Sequence, residues 1–435
     1  MNVVGAGYAD RPLGAEELVE TLLAGLDRLE LDRQRVLVLV PDGTRSMPLG
    51  ELFALVHDAL VGRVAALDVL VALGTHPAMP MPAIERHFGL PPGTWAERYP
   101  TVTVSNHEWW LASAFADLGA VPADEVAALS GGLLAEDVPV RVNRKVTEYD
   151  ACLVLGPVFP HEVVGYSGGD KYFFPGVAGP EVIDASHWLG ALITSTEIIG
   201  RRGITPVREL IHRAAARIPS RRLCVAVVVA PETKKLHGLY VGDTHAAWAA
   251  AADLSSQVHV RYVERPFRRV VSVVPSMYDD MWTAAKGMYK VEPVVADGGE
   301  VIVLAPHVST FSYTHDPLIR RVGYHCRDYF LGQPGRFAEV PRGVLAHSTH
   351  LRGAGTYDPA TAVEQLRIAV TLATAIPPDE CAAVNLGWRD PADIDLAALA
   401  AEPGTLVVPR AGELLYRLAA DRLPDGPPTA EVAGS

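Results

Sequence analysis

Two histidines and a lysine flank a glycine-rich turn between residues 156 and 187: His161, then Gly165-Tyr166-Ser167-Gly168-Gly169-Asp170-Lys171, then His187. Imidazole carries protons near neutral pH or ligates a metal, and a desolvated lysine is a nucleophile. Glycines permit positive φ and close backbone approach to a bound group, and such a turn can aim several N–H groups at an anion. The turn is not a Walker A loop, because Lys171 is followed by Tyr172 rather than Ser or Thr.

These groups need elements to hold them. A hydrophobic run at residues 151–155 leads into Gly156-Pro157, so His161 follows the carboxyl end of a strand, where open α/β sheets place their ligands. Two earlier runs end in the same way. Residues 36–40 lead into Pro41-Asp42-Gly43-Thr44-Arg45-Ser46, where an aspartate and a forked arginine suit a carboxylate or ribose hydroxyls. Residues 66–73 lead into Gly74-Thr75-His76. In a doubly wound sheet these ends share one edge, so Asp42, Arg45, His76 and His161 should converge.

Helical spacing of Leu18, Leu22, Leu26 and Leu29 predicts an amphipathic helix over residues 14–29, and no strand is legible before it. Further helices are expected near 49–60, 207–217 and 244–254, with a strand at 223–229. His107 lies in an aromatic-rich loop that reads mainly as packing. A second αβ series begins near residue 268 with a strand at 270–274, followed by a helix carrying Trp282, Thr283, Lys286 and Lys290. Thr283 and Lys286 share a face of that helix. Later strands are expected at 300–304, 382–386 and 405–408, with a further element at 344–347, and residues 424–435 should fray.

A length of 435 residues predicts two or three domains, and 49% hydrophobic with 20% charged residues describes an ordinary globular protein. The net charge of −13 argues against a general nucleic-acid or anionic-membrane binder. Neither a signal peptide nor a transmembrane stretch is legible, and the four scattered cysteines read as buried reduced thiols, so a cytoplasmic location is expected. The predicted fold is α/β: two α/β domains with mostly parallel sheets and an active-site cleft between them. Residues 1–265 would form a cofactor-binding domain and 266–409 a substrate-closure domain, with the tail 410–435 packing back on the first.

In their order and spacing the motifs resemble the lactate racemase family. The resemblance covers most of the chain: Asp42-Gly43-Thr44-Arg45 matches a D-x-T-R-P loop, Gly74-Thr75-His76 a second motif, and Pro160-His161, the glycine turn to Lys171, Pro175-Gly176 and His187 a third. It implies a 2-hydroxy acid racemase or epimerase that uses a nickel-pincer nucleotide. Lys171 would attach this pyridinium mononucleotide covalently, and His187 would complete the nickel coordination, as soft sulfur plus imidazole suits nickel. Asp42, Thr44, Ser167, Gly168 and Gly169 would help bind the cofactor. His76 and His161 would be acid and base while hydride moves reversibly between Cα and the cofactor. Arg45 and Lys286 would hold the substrate, with Trp282 and Thr283 beside them, and dedicated maturation enzymes are possible partners. The sequence also departs from the family pattern. Ser46 replaces a proline, and Trp282-Thr283-Ala284-Ala285-Lys286 stands where Y-Q-A-x-K is common, so a 2-hydroxy acid larger than lactate is expected. Other readings remain open: a zinc or iron lyase or hydrolase using His76, His161 and His187; a Schiff-base lyase using Lys171; or a non-catalytic nucleotide or cofactor carrier.

Overall fold

Residues 35–41 are hydrophobic beyond Arg35 because this strand lies inside a sheet covered on both faces, and from Val36 to Pro41 every residue is buried. The computed structural model describes residues 3–422. Contacts divide the chain into two units. One holds the chain up to Phe159, Tyr166–Ile183 and Arg202–His259; the other holds Pro160–Gly165, Asp184–Arg201 and the chain from Val260 onward.

The first unit contains a seven-stranded sheet: β1 (Val4–Gly7), β2 (Arg35–Pro41), β3 (Ala66–Ala72), β4 (Val104–Asn106), β5 (Ala151–Pro157), β6 (Arg221–Val229) and β7 (Leu236–Asp243). Their order is β1-β7-β6-β5-β2-β3-β4. Strands β6, β5, β2, β3 and β4 pair in parallel, whereas β7 runs antiparallel to β6 and to β1. Its helices are α1 (Ala15–Arg28), α2 (Leu49–Leu60), the first turn of α3 (Pro180–Ile193), which from Asp184 onward belongs to the second unit, α4 (Pro206–Ala215) and α5 (Thr244–Val258). Leu22 and Leu26 of α1 and Phe53 of α2 join Val36, Val38, Leu153 and Val225 in one core. Each such side chain contributes roughly 1.5–3 kcal/mol by leaving water.

The strand β1 corrects the expectation that nothing precedes α1. It is short and carries two glycines, which hides it from periodicity. A Cβ on Gly5 would come within 2.2 Å of the Tyr240 ring on β7, so glycine lets the edge strand close on its partner.

The second unit has a five-stranded, all-parallel sheet. Alongside β8 (Val260–Val263), its strands are β9 (Phe267–Val273), β10 (Val295–Ala305), β11 (Ala369–Thr374), β12 (Gly387–Trp388) and β13 (Thr405–Val408), in the order β12-β11-β10-β9-β13. β8 pairs instead with β14 (Leu415–Leu418), and both belong to this second unit. Residues 423–435, which include the whole stretch expected to fray, lie outside the described residues. The helix expected to carry Trp282 through Lys290 is two short pieces, α6 (Met281–Ala284) and α7 (Lys286–Tyr289), and residues 344–347 lie in α8 (Arg342–Arg352). Residues 382–386 are not a strand. Pro377 and Pro378 open a helix over Pro378–Ala383 with Asp379 and Glu380 in its first turn, and a run this short has no readable period.

All four cysteines are free and buried. No helix among the described residues is long and apolar enough to cross a membrane.

Candidate active site

From β2 the chain passes to β3 and β4 on one side, while β5 and β6 lie on the other. The strand order therefore reverses between β2 and β5, which is where a parallel α/β sheet opens a ligand crevice at its carboxyl ends. Asp42, Thr44 and Arg45 leave β2 at this edge, and His76 follows the neighbouring β3.

These residues are wired together. The Asp42 carboxylate accepts from His76 Nδ1 through one oxygen; through the other it accepts the Thr44 N–H at 3.0 Å and hydroxyl at 2.6 Å. Burial alone would raise the Asp42 carboxyl, but His76, Arg45 and Thr44 outweigh it and hold the group well below the usual carboxylate range. Asp42 is thus engaged by protein groups on both oxygens. With Nδ1–H committed to Asp42, the nitrogen of His76 left to accept a proton is Nε2. Arg45 donates from Nη1 to the Thr44 hydroxyl at 2.8 Å, and its guanidinium lies 5.5 Å from the Phe159 ring centroid. It makes no ion pair among the described residues.

Within the same unit the glycine turn enters a short 3-10 turn, Gly169–Tyr172, that carries Lys171. Gly168 and Gly169 have φ of +86° and +60°, and a Cβ on either would fall 2.5 Å from Val158 Cγ2 or 2.9 Å from the Thr244 carbonyl. The glycines are required by close packing on the protein itself. Ser167 is likewise engaged by its own chain, accepting the Phe159 N–H at 3.1 Å and donating to the Pro157 carbonyl at 3.2 Å.

The remaining expected site residues belong to the second unit. His161 is buried, with Nδ1 accepting the Val163 N–H at 3.2 Å and lying 3.3 Å from the Glu162 carboxylate. His187 sits on α3, its Nδ1 3.4 Å from the Ser186 hydroxyl. Lys286 is buried, its ammonium 4.5 Å from the Tyr278 ring centroid and donating to the Thr283 carbonyl at 3.4 Å. Thr283 spends its hydroxyl on Asp280 at 2.8 Å. Trp282 stacks on His347 with centroids 4.1 Å apart and meets His315 at 4.6 Å. Burial holds His347 well below the ordinary imidazole range, and His350, His315, Lys286 and His187 push the same way. Reading the sequence missed His315 and His347 as partners of Trp282, for their positions carry no motif. His107 is fully buried and structural: Nδ1 accepts from Asn143 at 3.1 Å and Nε2 donates to the Ala178 carbonyl at 3.2 Å. Among the described residues no group of three or more His, Cys, Asp or Glu side chains is arranged to hold a metal ion.

A family model, the lactate racemase N-terminal domain, matches residues 16–199, the stretch that carries Asp42, Arg45, His76, His161, Lys171 and His187. Over that stretch the chain belongs to the lactate racemase N-terminal domain family. It is 25% identical over 302 residues to a lactate racemase of Lactiplantibacillus plantarum and 22% identical over 302 residues to one of Thermoanaerobacterium thermosaccharolyticum. Each match covers 68% of this chain, and 64% and 63% of the respective relative, so the chain spans less than two thirds of their lengths. Among solved structures, a Thermotoga maritima protein is 34% identical with a TM-score of 0.86, covering 95% of this chain and 100% of that one. The lactate racemase apoprotein of Thermoanaerobacterium thermosaccharolyticum shares the fold, with a TM-score of 0.66 at 15% identity over 94% of this chain and 91% of that one.

Proposed function

We propose that the whole chain is a lactate racemase-like enzyme: a racemase or epimerase of a 2-hydroxy acid larger than lactate, dependent on a nickel-pincer nucleotide. The observation that carries the reading is the Asp42–His76 pair beside Arg45, a carboxylate-oriented base next to an anion-binding fork at the carboxyl edge of a parallel sheet. The residues fit the group. The donor set is a primary amine at Lys171 and an imidazole at His187. This suits a metal that arrives with most of its ligands on an organic group. When bound, the nucleotide supplies a reversible hydride acceptor for the hydrogen on Cα.

The chain's own residues do the rest. Arg45 and Lys286 hold the substrate carboxylate. His76 takes the hydroxyl proton at Nε2 while Asp42 stabilises the imidazolium through Nδ1. His161 serves the opposite enantiomer, because the flat 2-oxo acid has two faces and one base reaches one of them. Thr283 is shorter than the glutamine common in the family, and its hydroxyl is committed to Asp280, which leaves room for a longer substrate.

The test is intact mass and metal analysis of the chain co-expressed with nickel-pincer maturation enzymes, with Lys171→Ala as control. A nucleotide-sized added mass that accompanies nickel and disappears in the control is the expected result, and a panel of chiral 2-hydroxy acids then assigns the substrate. An unmodified chain under conditions that load a known family member rejects the reading.

A further inference from the structure

We propose that Arg208 is a positioning residue for Lys171, fixing the glycine turn from beneath so that the amine is presented in one orientation; its functional meaning rests on the attachment role proposed above.

Arg208 lies on α4, where the Thr205 hydroxyl caps the helix by accepting the Arg208 N–H at 3.2 Å. Its side chain is fully buried. Nη1 donates to the Gly168 carbonyl at 3.2 Å and Nη2 to the Tyr166 carbonyl. The guanidinium also lies 4.0 Å from the Trp248 ring centroid on α5, while Nε has no hydrogen-bond partner among the described residues. Among the described residues no carboxylate lies within ion-pair distance of it, although the Asp170 charge acts on it from farther off. Burying a guanidinium against carbonyls and a ring, with no directly bonded counter-ion, is costly, and an apolar side chain of similar length would fill the space without that cost.

What an apolar side chain cannot do is orient two peptide planes. A rigid fork bonded to carbonyls two residues apart fixes both planes, and with them the path of the chain into Lys171. The coupling is direct, because the Lys171 N–H donates to the same Gly168 carbonyl at 3.3 Å. The residue just before Lys171 is held by other elements. Asp170 is buried, and its carboxylate accepts Arg222 Nη1 at 2.7 Å and the Thr244 hydroxyl at 2.5 Å. Positive φ at Gly168 and Gly169, with backbone and side chains packed against both, leaves the turn few other conformations.

The experiment uses the full chain without cofactor and follows acylation of each lysine by an N-hydroxysuccinimide ester, read by peptide mass spectrometry well below the unfolding midpoint. Lys145 and Lys235 are the internal references. Arg208→Met is expected to change Lys171 labelling relative to the references by about tenfold, with partial return in Arg208→Lys, which restores one donor. A purely structural role would lower the unfolding midpoint and leave the relative rate of Lys171 unchanged in the folded protein; that result overturns the inference. Should Arg208→Met fail to fold, Arg208→Lys decides: a wild-type Lys171 rate overturns the proposal and an altered one supports it. A parallel loading experiment should show the adduct reduced in the folded variant. A wild-type chain that acquires no adduct removes the attachment reading, and labelling then decides the positioning of Lys171 by itself.

Discussion

Asp42 and His76 stand 34 positions apart in the chain, and their contact gives a histidine after a strand a defined base nitrogen. Replacing Asp42 by Asn keeps the shape but removes the charge and the acceptor that fix Nδ1–H. Turnover of the loaded enzyme should fall on the order of 10²–10⁴-fold, as when an orienting carboxylate is lost from other histidine bases. The fold should persist. In the unloaded chain the same substitution should erase the His76 Nδ1-bound proton signal in nuclear magnetic resonance, and an unchanged signal would show that Asp42 does not orient the ring. Both residues were legible as site candidates from their places after strands. Their pairing was not, although the resemblance had placed Asp42 among the residues expected to bind the cofactor.

The elements that present these groups were legible wherever hydrophobic runs are long. Residues 36–40, 66–73 and 151–155 read as buried strands, and β2, β3 and β5 occupy them. Short or glycine-containing pieces escaped: β1 was missed, and residues 382–386 looked like a strand but end a helix. Periodicity needs several residues to show, and these pieces have too few. Gly156, near the end of β5, illustrates an element-level constraint on the site. A Cβ there would lie 1.8 Å from the hydroxyl oxygen of Tyr172, the buried neighbour of Lys171. Gly156→Ala should therefore cost about 1–3 kcal/mol, read as a lowered urea midpoint, and should alter Lys171 labelling along with it. A wild-type midpoint would show that the Tyr172 ring can move aside.

At the scale of the molecule, each unit buries a histidine kept neutral. Burial pulls His107 in the first unit to about 4, against the pull of its bond to Ala178, and draws His350 in the second to about 4. Both values are depressed, so the unfolded chain takes up these protons first as pH falls below about 6.5. Their contribution to stability is complete above that value and drains away toward pH 4, at up to about 1.4 kcal/mol per unit for each group. Urea midpoints should drop between pH 7 and pH 5, and a flat profile across that window would contradict the neutral, buried state. The sequence alone determined the α/β class, the hydrophobic strands, the loops that follow them and, through motif spacing, the resemblance to the family, because all of these are written in residues close together along the chain. Only the tertiary structure decided that Asp42 meets His76, that Arg208 lies under the Lys171 turn and that Thr244 holds Asp170. These partners are 34, 42 and 74 residues apart in their contacts, and such bonds exist only once the strand order has brought distant segments side by side.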